Sequence, residues 1–250
     1  MSPTASGLPS SWLVEHLDLL PRGGTVLDVA CGRGRHTLFL ARAGFRVHAV
    51  DRDPVAVDAV RTAAREEGLA VECEVLDLER EPPPDLGRAR YDAVIVFNYL
   101  HRPLFPALRR ALAPGGRLVY ETFTTAQAAR GRPTNPAFLL RPDELRDLVA
   151  PLSVLRSREG DFEGRFVASM VAALDIERLP IDDRVTVGSF SDLRIGRFNR
   201  VIQRFTDYQW PNHPNKSPNH PIARLNRPIL LNPPITQQSP DHQSSIINAQ

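Results

Sequence analysis

GTVLDVACGRGRHTLFLARAGFRVHAVD, residues 24–51, is the stretch that decides the fold. Residues 25–29 form a short β-branched and aliphatic run, the mark of a buried strand. They feed Ala30-Cys31-Gly32-Arg33-Gly34, a tight turn dominated by small residues. A helical pattern follows from Arg35 and stops at Gly44, a natural left-handed helix end. A second strand, residues 45–50, finishes in Asp51. Strand, glycine turn, helix and an acid closing the next strand make half of a nucleotide-binding unit. The glycines let the backbone approach a ligand, and the helix start offers unpaired N–H groups. Asp51 lies about 20 residues beyond the turn, the place of a carboxylate that accepts both ribose hydroxyls.

An ordered series surrounds the turn: Asp28 before it, Asp51 after it, and Leu76-Asp77-Leu78 later. In this series the chain resembles the class I S-adenosylmethionine (SAM)-dependent methyltransferases. Residues 28–51 look most like the tellurite-resistance methyltransferase group. The resemblance covers residues 1–174 and implies an α/β fold, a Rossmann-like doubly wound sheet of seven mostly parallel strands with an antiparallel terminal strand. It implies SAM as cofactor, bound by Asp28, Ala30, Gly32, Gly34, Asp51 and Asp77. Asp28 would orient the turn toward the methionine amine, and Asp77 would face the adenine amine. Arg33 and Arg35 flank the turn and are expected to pair with carboxylates, that of SAM included.

Of the 250 residues, 42% are hydrophobic and 24% charged, as in an ordinary soluble globular protein. No apolar run approaches the roughly 18 residues that span a membrane, and the first residues do not read as a secretory signal. Two cysteines, Cys31 and Cys73, make no disulfide scaffold, so a reducing cytoplasm is expected. Residues 1–174 carry as many arginines as acids, and the net charge of +2 comes from the remainder. A neutral main body argues against a nucleic-acid groove.

Along the chain, residues 1–9 are expected to be disordered. Ser11 is expected to cap a helix over 12–20, a candidate lid over the cofactor. Asp53-Pro54 opens a helix ending near Gly68. Residues 70–76 and 91–97 read as the third and fourth strands, the latter apolar on both faces. Pro103 starts a helix with Leu104, Leu108 and Leu112 at four-residue spacing. Residues 117–122 are the fifth strand, 123–140 a long irregular connection, and 142–149 a short helix. Strands at 153–158 and 165–172, joined through residues 160–164, complete the sheet.

Residues 175–210 read as a basic, helical extension, with Phe198, Val201, Ile202 and Phe205 at helical spacing. Residues 211–250, rich in Pro, Asn and Gln, cannot bury enough apolar surface to order themselves and are expected to be disordered. His213, His220 and His242 are irregularly spaced among prolines, so no metal site is expected.

A cofactor whose methyl group is already activated leaves the protein chiefly to align the nucleophile, which can supply about 7–11 kcal/mol. A small-molecule acceptor is expected over the ends of the fourth and fifth strands, near Asn98, Tyr99, Arg102 and Glu121. His101 is a candidate general base, with an orienting role the alternative. Arg102, Arg130 and Arg132 are candidates to collect an anionic acceptor. Asn98-Tyr99-Leu100-His101 lacks the Asn-Pro-Pro-Tyr pattern of many amine and base methyltransferases, a second reason to expect no nucleic-acid partner. Nothing in the sequence sets an oligomeric state. A non-catalytic SAM-binding or partner-binding protein stays open as an alternative. A nicotinamide-dependent dehydrogenase is disfavoured, because Thr37 stands where the third glycine of that fingerprint would fall.

Overall fold

The hydrophobic run Thr25–Val29 forms β1, and the chain wraps outward from it. A computed structural model describes residues 7–175 of the chain; the readings made above for residues 1–6 and 176–250, tail histidines included, lie outside the described residues. Arg35–Arg42 is α2, Arg46–Asp51 is β2, Pro54–Glu66 is α3 and Val71–Val75 is β3. Then come Tyr91–Phe97 as β4, Phe105–Ala111 as α4, Leu112–Phe123 as β5 and Glu144–Val149 as α5. The hairpin of β6 (Ser153–Phe162) and β7 (Arg165–Ala173) closes the described part, and α1 (Ser11–Glu15) precedes β1.

The seven strands lie in the order β3-β2-β1-β4-β5-β7-β6. Pairing is parallel from β3 through β5, and β7 runs antiparallel between β5 and β6. This is the doubly wound sheet expected, with the antiparallel strand one place in from the edge. The chain winds from β1 through β2 to β3 on one side, then crosses back to β4 on the other. That reversal opens a crevice outside the carboxyl ends of β1 and β4, where ligands bind in sheets of this kind.

Alternation along the strands sorts the core into two layers. Leu27, Val29, Val94, Val96, Leu118 and Tyr120 face α4 and α5. Val26, Ile95, Phe97 and Val119 face α1 and α2, packing with Trp12, Leu13 and Leu40. On this second face the same alternation buries polar groups, Asp28 of β1, Glu121 of β5 and Ser169 of β7. Such groups are stable inside only when hydrogen-bonded, and each of them is.

Several local expectations shift. The cap of α1 is Ser10, whose Oγ accepts from Trp12 N at 3.2 Å, one residue earlier than expected. The helix ends at Glu15 because His16 leaves the helical well at φ −117°, and a 3₁₀ turn over Leu17–Leu19 follows. Pro103 opens a 3₁₀ turn rather than α4, and Leu112 begins β5 instead of closing the helix. Strand β5 starts before Pro114-Gly115-Gly116, which it accommodates through a register shift against β4. In the last hairpin the turn is Glu163-Gly164, at φ 55° and 74°, the paired left-handed geometry of a two-residue loop. Gly160 and Asp161, expected in the turn, are paired within β6.

The irregular connection from 123 to 140 is closed at its base, where Thr125 N donates to Leu140 O at 2.8 Å. It is tied down by Arg102, which donates to both Glu144 oxygens at 2.7 and 2.8 Å and to the carbonyls of Ala137 and Leu139. Arg102 therefore clamps this connection to α5, with four of its five N–H donors engaged there. Its hydrogen bonds, followed by that of Arg141 N, hold the Glu144 carboxyl down at about 2. Arg102→Ala is expected to cost about 2–3 kcal/mol at neutral pH, from an almost buried carboxylate left short of its partner. Because the folded-state value is depressed, this contribution is full above the ordinary carboxylate range. It is lost as pH falls from 4.5 through about 2. Chemical melts of both proteins across that range check it.

Candidate active site

The end of β1 cannot continue straight, because Ala30, Gly32 and Gly34 all take positive φ, at 55°, 54° and 77°. Gly34 N donates to Cys31 O at 3.0 Å to close the turn, and Cys31 N donates to Val50 O, pinning it to β2. Asp51 at the end of β2 accepts from Gly32 N through Oδ2 at 2.8 Å and from Asp53 N through Oδ1 at 2.9 Å. One carboxylate thus holds the turn and the start of α3 together. A carboxylate has about four acceptor positions, so capacity for two hydroxyls remains. At Gly32 a side chain would meet nothing within 4 Å, so that face of the turn is open.

Two cavities adjoin there. One, of about 160 Å³, is walled by Ala30, Asp51, Arg52, Leu78, Glu79 and Tyr99. The other, of about 280 Å³, is bounded by the turn residues other than Gly34, together with Arg35, His36, Phe97, Asn98 and Tyr99. Ala30 and Tyr99 belong to both walls. Neither cavity alone reaches the roughly 300 Å³ at which small-molecule pockets begin; joined, they do.

Asp28 is 1% exposed and lies behind this surface, with Thr37 Oγ1 donating to its Oδ2 at 2.6 Å. Burial pushes its carboxyl up to about 7, against the pull of the Thr37 bond and of Arg35. Burial likewise lowers His36 to about 3, with Arg35 and Arg165 adding to it. His36 is therefore neutral, and its Nε2 accepts from Ser10 N at 3.2 Å. Two polar atoms on the cavity walls are buried without a partner, Arg35 Nη2 and Tyr99 Oη. Burial and then Glu79 push the Tyr99 phenol up, so it stays a hydroxyl donor.

Residues 26–116 match the family described as a methyltransferase domain. Those residues are a methyltransferase domain. Over 116 residues the chain is 36% identical to a ubiquinone biosynthesis O-methyltransferase of Xanthomonas axonopodis, covering 44% of this chain and 48% of that one. It is 31% identical over 141 residues to a protein of Eikenella corrodens called hemagglutinin 1, covering 53% of this chain and 45% of that one. The chain thus spans about half the length of the curated relatives it matches. In structure the domain is similar to TehB from Haemophilus influenzae, at a TM-score of 0.57 and 17% identity, over 68% of this chain and 64% of that one. No helix among the described residues is long and apolar enough to cross a membrane.

The walls of the methyltransferase domain suit its cofactor in chemical kind. An acid, an open turn and apolar Leu78 suit a nucleoside, and the unpartnered Arg35 nitrogen suits a carboxylate. Among the residues expected from sequence, Ala30, Gly32, Asp51, Asn98 and Tyr99 line the cavities. Gly34 lies under the turn, where a side chain would meet Val60. Asp77 is exposed and its Oδ1 accepts from Glu79 N at 3.0 Å, so Leu78 and Glu79 form the wall in its neighbourhood. Glu121 is fully buried and accepts from Ser10 Oγ at 2.8 Å and Ser169 Oγ at 2.7 Å, with Arg158 and Arg165 beside it. It cannot touch an acceptor, and it ties α1 to β5 and β7. His101 has a buried, unpartnered Nε2 but walls neither cavity, so no proton step is assigned to it. Arg132 is exposed and off both walls, and Arg130 pairs with Asp161 at 2.6 Å.

Sequence reasoning missed Arg52, Glu79, His36 and Phe97 as wall residues, and Thr37 as the partner of Asp28. Thr37 was open to discovery: an acid nine residues before a threonine on the facing helix turn is a bondable spacing.

Proposed function

We propose that residues 1–174 make up one domain, and that it transfers a methyl group from SAM to a small, anionic acceptor. The observation that carries the reading is the Asp51 carboxylate. It braces the open face of the Gly32 turn and still has acceptor capacity directed at a cavity beside it. When bound, SAM supplies a methyl group on a positive sulfonium, already activated for an in-line displacement.

The chain's own residues then bind and orient. Asp51 accepts from the ribose hydroxyls, while Ala30 and Leu78 give the base an apolar wall. Asp77 shapes this wall through its bond to Glu79 N. Arg35, whose Nη2 is without a partner, takes the methionine carboxylate by a charge-assisted bond. Asp28, buried and held by Thr37, fixes the strand end from which the turn departs. Tyr99 offers a neutral hydroxyl where the two cavities meet, and Asn98 stands beside it at the acceptor side. Buried Phe97 and His36, with half-buried Tyr99, limit water around the second cavity, which strengthens each polar contact. An anionic acceptor is supported by the balance of that cavity, where Arg33 and Arg35 line the wall and no acid does.

The test is turnover. The full chain is incubated with SAM and a panel of carboxylates, phenolates, thiols and oxyanions of selenium and tellurium, and release of S-adenosylhomocysteine is followed. Turnover confined to anionic members is expected. Turnover only on neutral acceptors contradicts the anionic part, and absence of SAM binding contradicts the whole.

A further inference from the structure

Arg165 opens β7 directly after the Glu163-Gly164 turn. Because β7 is antiparallel to β5, with Phe123 opposite Val167, Arg165 projects beyond the carboxyl end of β5. That is the edge on which both cavities open; Arg165 walls neither of them and meets the larger one at its rim, through Asn98. Its guanidinium has three oxygen neighbours, Asn98 Oδ1, Glu163 Oε2 and Glu121 Oε1, each at 3.5 Å. Charge-assisted bonds that have closed are about 2.7–2.9 Å long. Arg102 and Arg130 meet that standard on their carboxylates, at 2.7 and 2.6 Å. Arg165 is steered from three sides and closed on none.

Two further observations point the same way. Asn98, on the wall of the larger cavity, is held at φ 56°, an uncommon conformation for a residue with a side chain, and its N–H donates to Glu121 O at 2.8 Å. Asparagine takes this left-handed conformation more readily than most residues, and here it turns the side chain at the end of β4 toward Arg165. Arg35 stands on the same wall, and Arg165 lies near enough to disfavour the charged forms of both Arg35 and His36. Arg33, Arg35 and Arg165 therefore share this edge with one buried carboxylate, Glu121, which besides Arg165 already has Ser10, Ser169 and Arg158 as partners. The cofactor brings a single carboxylate, enough for Arg35. Its sulfonium adds positive charge.

We infer that Arg165, steadied by Asn98 and Glu121, contacts the methyl acceptor itself, and that the acceptor presents a carboxylate or comparable oxyanion to it. This rests on the SAM-dependent reading above and names the group that would recognise the acceptor.

The probes are acetate and benzoate against their neutral partners acetamide and benzamide, titrated calorimetrically into the full chain saturated with S-adenosylhomocysteine. At least one carboxylate is expected to bind about tenfold or more tighter than its amide. Arg165→Gln is expected to abolish that preference, Arg165→Lys to keep part of it, and both to bind S-adenosylhomocysteine within about threefold of the parent. Equal binding of acid and amide, no carboxylate binding, or a preference that survives Arg165→Gln overturns the inference. If Arg165→Gln fails to fold in a thermal melt, Asn98→Gly keeps the positive φ and removes the Oδ1 neighbour. It should lower the preference at least threefold, by about one neutral hydrogen bond, and an unchanged preference overturns the inference. A parent protein that does not bind S-adenosylhomocysteine sinks the cofactor reading instead. Normal cofactor binding without anion preference sinks only this one.

Discussion

Asp51→Ala is expected to weaken SAM binding by more than about tenfold, because two hydrogen bonds to a charged acceptor go, each worth about 1.5–3 kcal/mol. The same carboxylate also receives Gly32 N and Asp53 N, so the variant loses the brace between the turn and α3. A drop in melting temperature should accompany the loss of affinity, with the sheet intact by circular dichroism. Asp51→Asn separates the two effects. Its amide oxygen can still accept from Gly32 N, so stability is expected to recover more than affinity does. Calorimetric titration with SAM at a temperature where all three proteins are folded reads the result. An affinity unchanged in Asp51→Ala would mean that the ribose is held elsewhere.

Gly34→Ala should be a strongly destabilising single methyl. A Cβ at this position would lie 2.5 Å from Val60 Cγ2, inside any tolerable contact, and 3.1 Å from Val60 Cγ1. The residue also sits at φ 77°, which costs a side-chain-bearing residue about 1–2 kcal/mol. With overpacking of about 1–3 kcal/mol, the sum is about 2–5 kcal/mol. The clash is with a branched side chain of α3, so Val60→Ala should relieve it. In a double-mutant cycle the pair is expected to be less destabilised than the two singles added together, by about 1 kcal/mol or more. Additive effects would show that α2 and α3 move apart freely and that Gly34 is not needed for their packing. SAM affinity is expected to fall in Gly34→Ala and to recover partly in the double variant.

Strands β1 and β4 were legible to the residue, since each is a mostly apolar run, interrupted by a single acid and bounded by turn-forming residues. The glycine turn and Asp51 were legible for a related reason: their roles depend on spacing along the chain. What the sequence concealed was set by neighbours distant in it. Ser10 outcompetes Ser11 as the cap because its hydroxyl and amide also find Glu121 and His36, 111 and 26 residues away. Arg102 looks like a free cation in sequence, and in the fold it meets Glu144, 42 residues on. Arg165 looked like an ordinary strand residue. Only the two-residue turn at Glu163-Gly164, masked in sequence by the more conspicuous Gly160-Asp161, places it beside Asn98. Glu121 was placed correctly at the end of β5, but strand alternation turns it into the core beneath α1.

The account's central claim is that the sulfonium nucleoside lies against the Gly32 turn. A crystal structure with S-adenosylhomocysteine tests it most directly. It should place the ribose hydroxyls on Asp51, the base against Leu78 and the amino-acid carboxylate toward Arg35. A nucleoside found anywhere else on the protein would contradict it.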